Sequence, residues 1–294
     1  MAWVERFAPS PTGPLHLGHA FSALTAWDRA TANGGEFLLR IEDIDQSRCR
    51  PAWEQKIYED LEWLGLWWPK PVLRQSERKP VYRKTLENLW ERHLLFACTC
   101  SRADINAASQ APQEGAPLTG PDGVIYPGTC RAQYAQPGQE NIPQNAALRL
   151  AMSIATQSAT PRIGGSVYSF LETGAGPEGE TGLIEFSAKD VEKTIGDIVL
   201  ARRDMGTSYH LSVVLDDAFQ GITHVTRGQD LFEATKIHVV LQKLLGLPTP
   251  VYHHHRLIRD EHGKRLAKRD DARAISKYRA EGATPPDIRQ MIGL

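Results

Sequence analysis

Residues 6–30 read RFAPSPTGPLHLGHAFSALTAWDRA, and the order of elements around them decides the fold. Trp3 to Phe7 predicts a short strand and Ala8 to Leu15 a proline- and glycine-rich loop. From Leu17 the apolar positions Leu17, Ala20, Phe21, Leu24 and Trp27 recur at the spacing of one helix face. Gly34-Gly35 ends that helix, and EFLLRIEDID (36–45) begins as a buried strand. Strand, loop, helix, strand is a βαβ unit, which implies a parallel sheet with a right-handed crossover. The mouth of such a helix has unpaired N–H groups and a partial positive charge, and both attract phosphate. Gly13 and Gly18 would let a ligand approach the backbone, and His16 and His19, three residues apart, can both donate hydrogen bonds to phosphate oxygens. A Pro-Gly turn that merely joins strand to helix, with the histidines incidental, accounts for the spacing equally well.

The chain has 294 residues, enough for one large domain or two smaller ones. Its apolar fraction of 41% and charged fraction of 23% are those of an ordinary soluble globular protein. No apolar run reaches the roughly 18 residues of a membrane span, and MAWVERFAPS has no basic start followed by an apolar stretch, so neither a membrane nor export is expected. Four cysteines are too few for a disulfide scaffold at this length, and a cytoplasmic setting fits them better. A net charge of −1 argues against indiscriminate nucleic-acid binding but leaves room for a local basic face.

Further along, helices are expected over Trp53 to Leu64 and from about Val81 to Phe96. The Gly-, Pro- and Gln-rich segment Ala107 to Gln144 reads as an insertion containing loops, and ETGAGPEGETG (172–182) as an exposed hairpin or loop. SYHLSVVLDDAFQGITHVTRGQDL (208–231) reads as β-rich and LFEATKIHVVLQKLLGL (231–247) as strongly helical. Cys98 and Cys100 flank Thr99, and Cys130 lies across the insertion. Three thiolates bind zinc well but leave a tetrahedral site one ligand short; three free buried cysteines are the alternative. Cys49 has no partner at metal spacing and is given no role.

RFAPSPTGPLHLGH resembles the nucleotide-binding motif of class I aminoacyl-tRNA synthetases, in the form used by glutamyl-tRNA synthetases. RIEDID (40–45), LLFACTCSR, SYHLSVVLDD, VTRGQDL and GKRLAKRD follow in the order that family uses, so the resemblance runs from Arg6 to about Arg269. The length and the ACTC…YPGTC pattern point to a short paralogue similar to the catalytic part of a glutamyl-tRNA synthetase. The resemblance implies an α/β fold: a Rossmann-like parallel sheet with an inserted zinc-containing subdomain and a short helical C-terminal segment. The corresponding divisions are 1–97 and 186–254 for the two halves of the catalytic domain and 98–185 for the insertion. Residues 255–294 would hold a basic ATP loop and short helices, with no anticodon-binding domain.

The implied chemistry is attack of the glutamate α-carboxylate on the α-phosphate of ATP, with Mg2+, to give glutamyl-adenylate; the protein positions the reactants and neutralises charge. His16, Gly18 and His19 would hold ATP, and Lys268 in GKRLAKRD would stabilise the transferring phosphates. GKRLAKRD departs from the family's usual Lys-Met-Ser-Lys-Ser: Arg265 replaces the first lysine and Ala267 the serine, so a hydroxyl is lost. A run like this is otherwise simply a solvated basic surface. Glutamate carries two carboxylates and an ammonium. Arg6 and Arg227 match the family's carboxylate positions, Glu42 its ammonium position, and Tyr209 and Ser10 add hydrogen bonds. Without the resemblance, Arg6 and Glu42 would read as a salt bridge across neighbouring strands. The resemblance also nominates Tyr126 as fourth ligand, beside Cys98, Cys100 and Cys130, of one structural Zn2+.

The short branch of the family further implies a partner and a product. The 25 residues 270–294, including ISKYRAEGATPPDIRQMIGL, can form a short helix, a Pro-Pro turn and another short helix but no independent domain. The tRNA would be identified from one region, the anticodon arm of tRNA(Asp), with glutamate esterified to queuosine at the wobble position. The alternatives are a glutamyl-tRNA synthetase acylating a tRNA 3′ end and a non-catalytic tRNA-binding paralogue.

Overall fold

The computed structural model describes residues 2–109, 119–131, 141–158, 167–259 and 273–294. Strand β1 (Val4–Phe7) leads through a loop into α1 (Leu17–Ala32), and β2 (Glu36–Ile41) returns parallel to β1, with Arg6 beside Leu38. The βαβ unit is therefore present. Gly34, at φ +60°, supplies the left-handed turn after α1 that a β-carbon would strain. Helix α2 (Pro51–Trp63) opens on a proline, which loses nothing there because a first-turn N–H has no helical partner. Its Ile57 and Leu61 are fully buried. Strand β3 (Leu73–Arg74) then adds to β2, and α3 (Lys79–Glu91) follows.

The helix expected from Val81 to Phe96 is shorter than the apolar pattern suggests. It ends at Glu91, His93 takes a left-handed φ of 54°, and the apolar run continues as strand β4 (Leu95–Cys98). Helix α4 (Arg102–Ser109) and the hairpin β5 (Thr119–Gly120) and β6 (Gly123–Val124) lie within the segment read as an insertion. Strand β7 (Ala147–Leu150) pairs antiparallel with β4 and is followed by α5 (Met152–Ser158). Strands β8 (Val167–Glu172) and β9 (Gly182–Ser187) form an antiparallel hairpin whose connection is the Gly-rich stretch. Glu172, at the start of that stretch, is nevertheless fully buried, because both of its oxygens are hydrogen-bonded.

Helix α6 (Ala188–Thr194) and strand β10 (Val199–Ala201), paired with β7, complete the middle of the chain. The β-rich reading of 208–231 is corrected: α7 (Tyr209–Phe219) occupies its first half, and only β11 (His224–Gly228) is a strand. Leu211, Val213 and Val214 are buried with His210, Asp216 and Asp217, so the helix is covered nearly all round. Such a run carries no period by which to tell it from a buried strand. The Ser208 hydroxyl starts the helix by accepting from the Leu211 N–H. Helix α8 (Ala234–Leu245) ends on Gly246 at φ +67°, and β12 (Val251–His255) returns parallel to β11. Helices α9 (Ile275–Ala280) and α10 (Pro285–Ile292) close the chain; Pro285 and Pro286 sit in the first turn of α10 under a Thr284 cap, not in a turn between helices.

Strands β1, β2 and β3 form one parallel sheet, and β11, β12 and β8 another with β9 antiparallel at its edge. Strand β1 lies beside β11, where the Thr223 N–H donates to the Val4 carbonyl at 3.0 Å. The parallel strands thus end together, and the carboxyl ends of β1, β2, β11 and β12 meet at one edge, the usual place for a ligand cleft in an open α/β sheet. One apolar core packs α1, α2, β1 and β2 with Ile275, Ile288 and Ile292 of the last two helices. A second lies under β8, α7, α8 and β12. Among the described residues no helix is long and apolar enough to cross a membrane.

Helix α10 docks through two kinds of contact of unequal weight. Ile288 is fully buried, whereas the fork from Arg289 to Asp28, at 2.7 and 2.8 Å, joins side chains 33% and 44% exposed. Ile288→Ala should destabilise the protein by about 2–5 kcal/mol, and Arg289→Ala by less than about 1 kcal/mol. Urea unfolding of both variants measures the difference, and equal losses would contradict this ranking.

Candidate active site

The loop 8–15 crosses the carboxyl end of the sheet and delivers His16 to the start of α1. The His16 ring caps the helix: its Nδ1 accepts from the Gly18 N–H at 3.1 Å, while His19 Nδ1 accepts from the His16 N–H at 3.1 Å. A ring nitrogen that accepts carries no hydrogen, so each imidazole holds its proton on Nε2 and presents a donor there. Gly18 has a second reason to be glycine beyond room for a ligand: a β-carbon would lie 3.0 Å from His16 Cε1. The helix-mouth motif is therefore built around its two histidines, whose ring centroids are 3.8 Å apart.

These residues line a cleft of about 430 Å³. His16, Gly18, His19, Ser10, Arg6, Glu42, Tyr209 and Arg227 all line it. Eight of the nine residues assigned to ATP and glutamate from sequence are brought together here. Lys268, with Arg265 and Ala267, lies outside the described residues. A second cleft of about 290 Å³ shares Ser10, Glu42 and Tyr209 with the first and continues past Asp45, Arg48 and Arg202.

Arg6 and Glu42 do not bond each other. Arg6 donates from Nε and Nη2 to the two oxygens of Asp217, at 2.9 and 3.4 Å, and Arg40 joins Asp217 at 2.7 Å to Glu42 at 3.2 Å. All four side chains are buried. Burial alone would raise Asp217, but Arg6 and Arg40 together hold it below the ordinary carboxylate value. Glu42 has the weaker partner: burial pushes it above its ordinary value against the pull of Arg40 and Arg6. An ammonium brought against Glu42 supplies the countercharge that burial makes it need. Burial likewise raises Tyr209, keeping its hydroxyl a donor.

Arg227 is held differently, by Thr235 at 2.6 Å and by His238 and His254 at 3.1 Å each. Asp217, Arg40, His238 and His254 were not singled out from sequence. A charged residue inside the apolar strand EFLLRI and paired acids in the apolar run VVLDD are the signals that mark the first two.

A separate cluster lies at the end of β4. The Sγ atoms of Cys98, Cys100 and Cys130 all lie within 4.8 Å of one another, and Cys100 and Cys130 are 3.4 Å apart. The Tyr126 hydroxyl stands 3.5 Å from Cys98 Sγ and 3.7 Å from Cys100 Sγ, and accepts from the Cys130 N–H at 2.7 Å. An ion with metal–sulfur bonds of about 2.3 Å in a tetrahedron needs sulfurs about 3.8 Å apart, so the donor set fits a metal. Burial opposes ionisation of the Cys130 thiol, yet hydrogen bonds from Tyr126 and the Thr99 backbone bring it down to about 6, whereas burial and its sulfur neighbours push Cys100 up to about 11. Cys49 lies apart, on the second cleft.

The family model of the catalytic domain of class I tRNA synthetases (E and Q) matches residues 3–159 and 179–294. A glutamyl-Q tRNA(Asp) synthetase of Rhodobacter capsulatus is 62% identical over 292 residues, spanning 99% of this chain and 100% of that protein. The enzymes so named from Deinococcus radiodurans and Symbiobacterium thermophilum are 39% and 38% identical, over 97% and 96% of this chain and 86% and 83% of theirs. A glutamate tRNA ligase of Elizabethkingia meningosepticum, solved in complex with its amino acid, superposes with a TM-score of 0.72 at 26% identity. That comparison covers 100% of this chain but only 61% of the larger protein. With the cleft at the strand ends, the two-histidine helix mouth and these relatives together, the chain belongs to the glutamyl-Q tRNA(Asp) synthetases, within the class I tRNA synthetase family.

Proposed function

We propose that the protein activates L-glutamate with ATP and transfers it to queuosine at the wobble position of tRNA(Asp), in the cytoplasm. The observation that carries this reading is the single cleft that joins the helix-mouth histidines to the buried arginine–carboxylate floor. His16 and His19 offer Nε2–H donors to the phosphates of ATP, and Gly18 keeps the wall beside them low. Arg6 and Arg227 take the two glutamate carboxylates, Glu42 the ammonium, and Tyr209 and Ser10 add hydrogen bonds. The α-carboxylate oxygen attacks the α-phosphorus and the bond to pyrophosphate breaks, with Lys268 neutralising the leaving charge; Mg2+ carried in with ATP would supply further positive charge to the phosphates. A hydroxyl of queuosine then attacks the adenylate carbonyl and AMP departs. The second cleft, continuous with the first, supplies an entry for that nucleotide. In this reading 1–97 and 186–254 are the two halves of the catalytic domain, 98–185 the inserted subdomain, and 255–294 the basic loop with the closing helices.

Glutamate-dependent pyrophosphate exchange tests the first step. Lys268→Ala should slow it by roughly 10²-fold, as for loss of one preorganised charge donor; near-normal exchange would remove Lys268 from the mechanism. For the second step, labelled glutamate offered to tRNA(Asp) with and without queuosine should enter only the former, and nuclease cleavage should leave the label on the anticodon fragment. Label on the 3′-terminal adenosine would instead make the protein a conventional glutamyl-tRNA synthetase.

The thiol cluster is assigned one structural Zn2+, held by Cys98, Cys100, Cys130 and Tyr126. Bound there, the ion would tie the end of β4 to the segment 119–131 and keep the thiolates and phenolate ionised. Elemental analysis of protein purified without chelator should find one zinc per chain, and Cys100→Ala should lose it with a lower unfolding temperature. A stable metal-free wild-type protein would refute the assignment.

A further inference from the structure

Arg227 stands at the centre of a relay in which a guanidinium donates and never accepts, and with neutral rings this places each ring hydrogen. Its Nε–H donates to His254 Nε2 at 3.1 Å. That nitrogen therefore carries no hydrogen, His254 is protonated on Nδ1, and Nδ1–H donates to Glu172 Oε2 at 2.5 Å. The second arm runs through Nη1, which donates to His238 Nδ1 at 3.1 Å. His238 must then hold its hydrogen on Nε2, which donates to His210 Nδ1 at 3.1 Å, and His210 Nε2–H in turn faces Asp122 Oδ1 at 3.2 Å. Both arms end on a carboxylate, but the ends differ: Glu172 is fully buried, and Asp122 is 41% exposed.

The order of protons holds only if the rings are neutral. Burial meets that requirement by lowering both His238 and His254 below the ordinary histidine value, in the second case against the pull of Glu172. Thr235 takes a third N–H at 2.6 Å. Three of the five guanidinium hydrogens are then committed to the protein, and one remains on each terminal nitrogen.

We propose that Glu172 and His254 are positioning residues for Arg227: the carboxylate fixes the imidazole tautomer that accepts from the guanidinium, and so aims its remaining N–H pair at a ligand carboxylate. The identity of that ligand rests on the glutamate reading of the cleft given above. The relay also explains why a carboxylate is needed at position 172. Its Oε1 accepts from two backbone N–H groups, of Gly174 at 2.7 Å and His254 at 2.9 Å, which leaves Oε2 for the ring. A glutamine here has one oxygen, and the two backbone donors claim it. Its NH2 then faces His254 Nδ1 and drives the ring to the opposite tautomer, with Nε2–H turned from the Arg227 N–H towards Thr235 Oγ1, 3.2 Å away, so that the Arg227 Nε–H loses its acceptor.

Ring-nitrogen NMR of the full-length protein reads these tautomers directly. In the wild type, His254 should carry its hydrogen on Nδ1, and His238 and His210 on Nε2; any other assignment overturns the relay, with no variant needed. Glu172→Gln should invert His254 and raise the KM for glutamate in pyrophosphate exchange by about tenfold, as for loss of a group that orients a ligand-binding residue, with the KM for ATP unchanged. Glu172→Asp, shorter but with both oxygens still accepting, should keep the wild-type tautomer and most of the affinity. At the exposed end water can replace the acceptor, so Asp122→Ala should shift that KM by less than about twofold. An inverted tautomer with unchanged glutamate KM, or equal rises for both substrates, would leave Glu172 a purely structural residue. Wild-type protein that shows no glutamate-dependent exchange would overturn the ligand assigned to Arg227, while the ring tautomers would still decide whether the relay exists.

Discussion

The carboxylate of Asp217 is the constraint on which the site depends. It lies on α7, in the second half of the chain, yet its partners are Arg6 on β1 and Arg40 on β2, in the first. Two guanidiniums side by side in a dry floor repel each other and are stripped of water, and only a shared anion makes that arrangement stable. Removing one member of such a buried group costs about 3–5 kcal/mol, a large part of the roughly 5–15 kcal/mol that holds a domain together. The adjoining Asp216 reinforces the same seam, accepting from Arg78, Tyr82 and Gln75 at 2.6, 2.7 and 3.0 Å. The cleft is therefore not an accident of surface shape. Its floor is the ionic joint between the two halves of the fold.

The helix-mouth part of the cleft is set by local chain chemistry. The sequence RFAPSPTGPLHLGH reads correctly as strand, loop and helix because each signal there is short-range: an apolar strand, prolines that prevent helix, then a 3.6-residue period. The parallel pairing of β1 and β2 and the helix α8 follow from equally local patterns. What escaped were features decided by burial. Helix α7 and strand β4 are both apolar runs covered over most of their surface, and such runs carry little period. The helix-to-strand change at His93 depends on one left-handed residue whose side chain gives no warning of it.

The site divides the same way. Residues carried by a contiguous motif, from Arg6 to His19, could be read in order, and so could the thiols flanking Thr99. Asp217, Glu172, His238 and His254 are spread over four elements of the second half, and only the packing of β8, β12, α7 and α8 brings them beneath Arg227 or Arg6. The salt bridge between Arg6 and Glu42, plausible for adjacent strands, is replaced because Asp217 reaches Arg6 from across the sheet, and a third party of that kind cannot be seen in strand spacing. The thiol cluster is anchored similarly. Arg131, next to Cys130, bonds Asp197 at 2.8 Å, and the Arg149 guanidinium lies 3.9 Å from the centre of the Tyr126 ring.

The two arginines proposed to take the glutamate carboxylates, Arg6 and Arg227, are held by partners of different charge. Arg6 shares an anion with Arg40, so its charge is largely spent within the protein. Arg227 is held by Thr235, His238 and His254, three neutral acceptors, so its charge is oriented without being cancelled. In and beneath the cleft, the three guanidiniums of Arg6, Arg40 and Arg227 are matched by three carboxylates, those of Glu42, Asp217 and Asp230. The formal charges balance, so Arg227 differs from Arg6 in its partners and not through a surplus of charge. Free glutamate at neutral pH carries two carboxylates and an ammonium, and in the proposed reading Glu42 takes the last of these. Had a carboxylate held Arg227 directly, the arginine would have been as well positioned, but its charge would have been neutralised at close range. Imidazoles, each kept neutral by burial and fixed in one tautomer by its neighbours, orient the guanidinium while leaving its field intact.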